Sequence, residues 1–344
     1  MSATSSTLKG ARTGGTAGAA RLRGLLTGGH PMLGVIGRRL LTAIPLLLGV
    51  SLLSFALTTL APGDAARSIL GPNAAPESYE QLRHAMGLDL PLWEQYWRWL
   101  TDALRGDLGA SAFNGQAVTD AIGQRFPVTA SLMAGSLLVS VLAGVSLGVV
   151  SALRGGLMGR AIDTLALVGF ALPAFWLGAE LIVVFSVWLG WFPSTGYVPF
   201  AESPGEWLRS LVLPVAALSL YGLAGIAKQT REAMLDVLGS EYIRVARANG
   251  LGEWSLVMRH ALKNASSRVV TVLGVLAVSM LGGTILVESV FALPGLGSLV
   301  VGGAVQHDLP MVQGVALFFT AIVVVINLTI DLAYTWLDPK VRVR

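Results

Sequence analysis

Long uncharged runs dominate this sequence and restrict what the chain can fold into. Residues 40–63, 126–153 and 311–330 carry no charged side chain over 24, 28 and 20 positions. Because an α-helix rises 1.5 Å per residue, about 20 apolar residues cross a hydrocarbon core of ~30 Å. Backbone amides in lipid must find partners inside their own segment, so runs of this length favour helices. The sequence therefore predicts an all-α polytopic membrane protein.

The composition agrees with this prediction and excludes several classes of protein. Only 13% of the residues are charged and 53% are hydrophobic, whereas charged residues approach a quarter in soluble domains. The chain has no cysteine, which excludes disulfides and thiolate metal sites, and its four histidines are scattered. No GxxxxGK[ST] motif occurs. If ATP drives this protein, the hydrolysis takes place on another chain.

Six apolar runs are predicted to be membrane spans. Pro173 interrupts the third and is expected to kink it, because proline removes a backbone hydrogen bond. The fifth contains Gly274, Gly282 and Gly283, and these small residues predict a place in the bundle interior. The predicted spans are residues 40–63, 126–153, 164–191, 210–227, 269–287 and 311–330.

The distribution of charge predicts the orientation. Residues 61–128 contain eight acids and five arginines, whereas residues 228–268 contain seven lysines or arginines and four acids. Since basic loops stay in the cytoplasm, the first interval is predicted to be external and the second cytoplasmic, with both termini inside. Residues 1–31 are rich in small and polar residues and are predicted to be a disordered cytoplasmic tail before a membrane domain of residues 32–344.

The external interval, residues 61–128, is predicted to be a lid. It carries an aromatic cluster that is typical of a membrane–water interface. We expect an amphipathic lid lying on the membrane. The aromatic residues are Trp93, Tyr96, Trp97 and Trp99.

Residues 241–265, here called the coupling knob, form a long polar interval between apolar runs. Ile243, Ala246 and Ala248 are predicted to give a small, shallow helical face, and Gly250 is placed to end that helix with a left-handed cap. A second helix is expected over residues 252–264. A hinged basic knob of this kind suits a partner's groove. The alternative, a basic loop that only fixes the topology, remains open.

The amino-acid sequence of the coupling knob resembles that of a known family. Residues 246–265, ARANGLGEWSLVMRHALKNA, are similar to the cytoplasmic coupling loop, or EAA loop, of ABC importer permeases in the dipeptide, oligopeptide and nickel branch. Gly250 stands at the family's glycine, residues 244–246 where the Glu-Ala-Ala triplet would be, and residues 260–263 where Ile-x-Leu-Pro would be. The likeness extends over residues 32–344 through three further stretches: MGLDLPLWEQYWRWL, RFPVTASL and ESVFALPGLGSLVVGGAVQHDLPMVQG.

The resemblance implies the transmembrane domain of a type I ABC importer, as the first of two permease subunits in the cytoplasmic (inner) membrane. The implied partners are a second homologous permease, two ATP-binding subunits and an external substrate-binding protein. ATP and Mg²⁺ would then bind to the ATPase subunits, and this chain would hold no cofactor, metal or catalytic residue. Short peptides are the first expected substrate, and nickel or another small solute is the second. An ATP-independent channel or secondary carrier is the competing class.

Two sets of residues are predicted to carry function. Glu180 is a candidate for the translocation path, because an ionisable group at membrane depth is costly. The resemblance adds Glu288 and Asp308 as candidates for the path or an external gate, since both stand at matching places in the family's last external segment. Glu180 has a second interpretation, as a paired structural residue or one near an interface. The residues expected to couple the permease to the ATPase are Glu241, Arg244, Ala246, Arg247, Ala248, Gly250, Leu251 and Trp254.

Overall fold

The computed structural model describes residues 31–60, 65–71 and 73–337. Over these ranges the chain is helical, and its extended structure is limited to an isolated antiparallel bridge between Ala110 and Ala117. The prediction of an all-α membrane fold is confirmed. The predicted tail, residues 1–31, lies outside the described residues apart from Pro31, where the first helix begins. The lid's first residues, 61–64, and the C-terminal residues 338–344 also lie outside them.

Five long apolar helices and one bent pair of helices form the membrane domain. The helices in chain order are α1 (Pro31–Leu60), α2 (Ala65–Leu70), α3 (Pro76–Ala85), α4 (Leu92–Ala103), α5 (Val118–Arg154), α6 (Gly156–Ala171), α7 (Ala174–Leu181), α8 (Pro204–Leu238), α9 (Glu241–Ala248), α10 (Glu253–Ser255), α11 (Leu262–Val290), α12 (Leu296–Gln306) and α13 (Leu309–Leu337). Two π-helical segments continue these helices, Ile182–Trp188 after α7 and Leu256–Ala261 between α10 and α11.

The third predicted span is broken rather than kinked. Helix α6 is its first half, and α7 with the following π-helical segment is its second half. The axes of the two halves meet at 99°. Leu172 and Pro173 at the junction are extended, with ψ angles of 121° and 133°. The residue before a proline is pushed out of the helical region by the proline ring, so the helix ends instead of bending. The bent pair accounts for the sixth span if it crosses the membrane as one unit.

The fourth span, α8, is the centre of the bundle. Buried residues make up 67% of its apolar window, against 39% for the fifth span and 17% for the first. Helix α5 packs closely on it, since a methyl group at Gly148 would come within 2.6 Å of the backbone oxygen of Ala227. The prediction that the three glycines place the fifth span in the bundle interior is partly right. Gly274 and Gly283 contact neighbouring helices, but Gly282 is exposed.

The external lid is built from three short helices, α2 to α4, and a loop that leads into α5. The predicted aromatic belt is divided between two sides of α4. Tyr96 and Trp99 lie against the protein with their rings 6.2 Å apart, and Tyr96 also contacts Phe55 of α1. Trp93 and Trp97 point away from the protein and are 72% and 62% exposed. The lid therefore has one face on the bundle and one face that the chain leaves uncovered.

Candidate functional site

The coupling knob begins with α9 and turns at Gly250. The backbone N–H of Gly250 donates to the oxygen of Arg247 at 3.0 Å, and the N–H of Leu251 donates to the oxygen of Ala246 at 3.3 Å. This pair of bonds is a Schellman cap, which needs a left-handed residue at its turn. Gly250 has a φ of +83°, a conformation that costs glycine little and other residues more. The prediction of a left-handed glycine cap at this position agrees with the geometry.

The second helix of the knob is not independent. Glu253 starts a helix that continues without interruption to Val290, through the π-helical segment, so the knob and the fifth span are one 38-residue rod. The sequence predicted a separate helix over residues 252–264. The helix is present from Glu253, but its predicted end at residue 264 is wrong, since residues 253–269 hold no glycine or proline and the helix continues into the span. A displacement of the knob is thus carried directly to the fifth span.

Buried apolar side chains fix the base of the knob to two helices, α8 and α5. Val257 and Ala261 pack in one cluster with Met234 of α8 and Ala152 of α5. Ile243, from α9, is fully buried. Its predicted place on a face shared with Ala246 and Ala248 is therefore wrong, because Ile243 anchors α9 while Ala248 is exposed.

The outer surface of the knob exposes large apolar side chains on a polar background. Trp254 is 76% exposed, Val245 60% and Leu251 38%. Glu241, Arg244 and Ala248 are also exposed, whereas Ala246 is half-buried. Exposed apolar groups of this size in a water-facing loop typically mark an interaction surface.

An exposed ion pair closes the knob. Arg247 Nε and Nη2 donate to the two carboxylate oxygens of Glu253 at 2.5 and 3.1 Å. The hydrogen bond from Arg247 lowers the pKa of Glu253, and the same bond raises the pKa of Arg247. The pair joins α9 to α10 across the turn at Gly250. It makes the hairpin compact without burying charge.

The segment from Glu288 to Pro310, here called the outer elbow, is organised around a buried carboxyl group. Glu288 has no exposed surface. Thr129 Oγ1 donates to Glu288 Oε1 at 2.6 Å, and the backbone N–H of Ser298 donates to Oε2 at 3.1 Å. Thr129 in turn accepts a hydrogen bond from the N–H of Leu296 at 2.9 Å. The carboxyl group thus lies at the N-terminus of α12, where the helix dipole favours negative charge.

Two glycines make room for this carboxyl group. A methyl group at Gly297 would lie 2.8 Å from Glu288 Oε2 and 2.5 Å from the Cα of Ile285, and one at Gly295 would overlap the carboxyl carbon. The PGLG turn therefore wraps around Glu288. Helix α12 is the helix of the outer elbow.

Asp308 holds the other end of the elbow. It is 3% exposed and accepts a hydrogen bond from Ser111 Oγ in the loop before α5. The residue before it, His307, has a φ of +60°, a left-handed conformation that is less favourable for residues other than glycine. The contact with Ser111 thus lies where the backbone is strained. Both acidic residues that were predicted for an external gate are buried and bound within this chain.

Glu180, the third path candidate, lies in a different environment. It is exposed on α7, two residues before the π-helical segment. An ionisable side chain inside an apolar span is costly when it faces lipid, so this face of α7 must meet water or another protein.

A groove follows the broken span and continues along α8 and α11. Its upper cavity, of about 280 Å³, lies between the Pro173 break, α8 and α11, and its lower cavity, of about 320 Å³, lies between α8 and α11. Phe170 and Tyr221 line both cavities and form an edge-to-face pair 5.0 Å apart. Lys228 and Glu232 line the lower end. No sequence pattern indicates this groove, since its residues come from three distant segments.

Two further residues were missed by sequence reasoning. Thr129 and Ser111 lie in stretches that the family resemblance covered, but a lone hydroxyl carries no pattern that assigns it a partner. Each is paired with an acid more than 150 positions away. Within the described residues, no group of three histidine, cysteine or acidic side chains is arranged to hold a metal ion.

Comparison with known proteins identifies the family. Residues 144–343 match the family described as binding-protein-dependent transport system inner membrane component, and residues 32–133 match the N-terminal component of the same kind of system. A putative peptide transport system permease protein of Brucella abortus (strain 2308) is 44% identical over 312 residues, covering 90% of this chain and 99% of the relative.

Two further comparisons extend the picture. The glutathione transport system permease protein GsiC of Escherichia coli (strain K12) is 39% identical over 312 residues, again covering 90% of this chain and 99% of the relative. Among solved structures, the inward-facing MetNI methionine ABC transporter matches 64% of this chain and 97% of its own, at 16% identity and a TM-score of 0.50. The structural likeness shows the fold. Taken with the matched family models and the long apolar helices, these comparisons show that the chain belongs to the inner membrane permease components of binding-protein-dependent ABC transport systems.

Proposed function

We propose that this chain is one of two homologous permease subunits of an importer for short peptides. An external binding protein delivers the peptide, and two ATPase subunits on the cytoplasmic side bind ATP and Mg²⁺. Both chain termini are cytoplasmic. The ATPase subunits dock on the coupling knob, and their closure on ATP binding moves the spans so that the path opens outward.

The construction of the knob is the observation that carries this proposal. Its tip exposes Trp254, Val245 and Leu251, while its base is buried on α8 and α5. A docked partner would cover the exposed apolar groups. Because Glu253 begins the rod that becomes the fifth span, force on the tip reaches the membrane without passing through a flexible joint.

The translocation path is proposed to follow the groove along α6, α8 and α11. Glu180 is exposed on the same broken span, which supports a water-filled path or a contact with the second permease. The Phe170 and Tyr221 rings lie between the two cavities of the groove, where they would narrow the path. We assign Glu288 and Asp308 to the external gate, where their hydrogen bonds would hold its backbone in place.

Peptides are favoured over nickel as the substrate. Relatives of 39–44% identity are named for transport of peptides or glutathione. The lower cavity carries the opposite charges of Lys228 and Glu232, a pair that suits the two charged termini of a short peptide. A ring of histidine or carboxylate ligands would be expected for nickel.

Substitution of Gly250 by proline tests the coupling role. Proline fixes φ near −65° and cannot adopt the +83° found at Gly250, so the cap between α9 and α10 would be lost. We expect the variant to insert and assemble with its partners, to hydrolyse ATP, and to transport less than a tenth as much labelled peptide per ATP in proteoliposomes.

Gly252→Ala is the matched control, since Gly252 lies two residues on, has a φ of −63° and has open space around it. It should transport normally. Wild-type uptake by Gly250→Pro would refute the coupling role. Purification in mild detergent without a homologous permease and ATP-binding chains would refute the proposed assembly.

A further inference from the structure

Helix α4 of the lid reaches below the outer end of the first span. The hydroxyl groups of Tyr96 and Ser51 are hydrogen-bonded at 2.9 Å, and the rings of Tyr96 and Phe55 are 5.4 Å apart. Ser51 precedes the last residue of α1, Leu60, by nine positions. At 1.5 Å per residue this is about 13 Å along the helix. The contact therefore lies well inside the predicted span of residues 40–63 and away from its outer end.

The first span faces lipid at the same depth. Leu52, Leu53, Leu57 and Leu60 are 54 to 75% exposed on the sides of α1 away from the bundle. No charged residue interrupts α1 between Arg39 and Leu60. The uncovered surface of α1 is thus a lipid-facing surface up to its outer end, and α4 lies beside it.

Helix α4 has three distinct faces. At 100° per residue, Trp93, Trp97, Leu100 and Leu104 fall within a 60° sector. Trp93, Trp97 and Leu104 in this sector are 72%, 62% and 79% exposed. The second face carries Glu94, Arg98, Asp102 and Arg105, which form two ion pairs along the helix.

The third face of α4 holds the helix on the protein. Gln95 Nε2 donates to the backbone oxygen of Leu90 at 2.8 Å, and Trp99 packs beside Tyr96. These contacts fix the rotation of α4 about its own axis. The directions in which the apolar and charged faces point are therefore fixed as well. A helix with one apolar face, one charged face and tryptophans at the boundary is the pattern of a helix lying in the membrane interface.

We propose that α4 lies in the outer leaflet of the membrane, with Trp93, Trp97, Leu100 and Leu104 in contact with lipid acyl chains and its charged face at the level of the headgroups. The occupant of the uncovered apolar face is lipid. The face is continuous with the lipid-facing surface of α1, and Tyr96 sets its depth through Ser51. The lid is then a membrane-anchored element, and only its charged side is presented to the external aqueous phase.

The absence of cysteine from the chain makes a direct test possible. Single cysteines at Trp97→Cys and Leu104→Cys would be spin-labelled in the assembled transporter, with partner cysteines replaced, in nanodiscs of phosphatidylethanolamine and phosphatidylglycerol. Power saturation would compare collisions with oxygen, which concentrates in lipid, and with a water-soluble nickel chelate. Leu57→Cys in α1 is the lipid reference, and Ala201→Cys in the outer loop is the aqueous reference.

Asp102→Cys is the matched control on the same helix, because it lies on the charged face. We expect labels at 97 and 104 to match position 57, with oxygen accessibility at least threefold above that of the chelate, and the label at 102 to match position 201. Chelate accessibility at 97 and 104 equal to that at 102 would overturn the proposal. So would a fall in accessibility at both positions when the external binding protein is added, because the face would then be a protein docking surface.

Discussion

The outer elbow and the coupling knob place their charged groups in opposite ways. In the elbow, Glu288 and Asp308 are buried, and each is hydrogen-bonded to a distant part of the chain. In the knob, Arg247 and Glu253 are exposed and bind one another across six residues. A buried polar group without its partner costs far more than an exposed one. The elbow is therefore expected to be a rigid support, and the knob a compact tip whose loss affects coupling more than folding.

The largest expected effect is that of Glu288→Ala. The change leaves Thr129 Oγ1 and the N–H of Ser298 without their acceptor and opens a void beside the PGLG turn. We expect a loss of about 2–5 kcal/mol, measured as a fall in the thermal unfolding midpoint of the purified complex. Glu202→Ala, an exposed acid in the outer loop, is the control. Equal thermal midpoints for Glu288→Ala and Glu202→Ala would show that the buried carboxyl group does not stabilise the elbow. The contrast between the elbow and the knob would then be lost.

Thr129→Val should have the next largest effect. Valine keeps the shape but leaves Glu288 Oε1 without a donor and the N–H of Leu296 without an acceptor. About 1–3 kcal/mol of stability should be lost, as seen in the same thermal measurement. Thr129→Ser retains the hydroxyl group and should restore most of the midpoint. If serine and valine behaved alike, packing rather than hydrogen bonding would explain the role of Thr129.

Gly250→Ala in the knob should cost less. Nothing lies within 4 Å of the added methyl group, so the penalty comes from the φ of +83° alone and is about 1 kcal/mol. We expect a small change in the thermal midpoint but a clear fall in peptide transported per ATP. Gly252→Ala should change neither quantity. A stability loss as large as that of Glu288→Ala would show that the knob is as rigid as the elbow.

The smallest effect should come from the exposed ion pair. Arg247 holds the pKa of Glu253 below its ordinary value of 4.5. A lowered pKa in the folded state means that the pair stabilises the knob above that value and stops doing so as the pH falls through the folded-state pKa. The midpoint difference between wild type and Glu253→Gln should be constant from pH 8 to 6 and shrink below about pH 4.5. A difference that grew on acidification would have the wrong sign.

The sequence predicted the parts of this fold that local physics controls. Lipid leaves a long uncharged run little choice but a helix, so the spans were recognisable from their lengths. Gly250 was recognisable because few residues other than glycine tolerate a left-handed cap. The predictions failed where a neighbour decided the outcome. Ile243 is buried because α9 rests on the bundle, and α8 is central because α5 packs along it.

The sequence by itself determined the class of protein, the membrane spans, an interruption of the third span at Pro173 and the left-handed cap at Gly250. Each follows from the solvent or from the backbone limits of single residues. Only the tertiary structure decided that Glu288 meets Thr129, 159 positions away, and that Tyr96 lies beside Ser51. Such contacts depend on how the helices pack, and residues far apart in the chain carry no local pattern that specifies their partner.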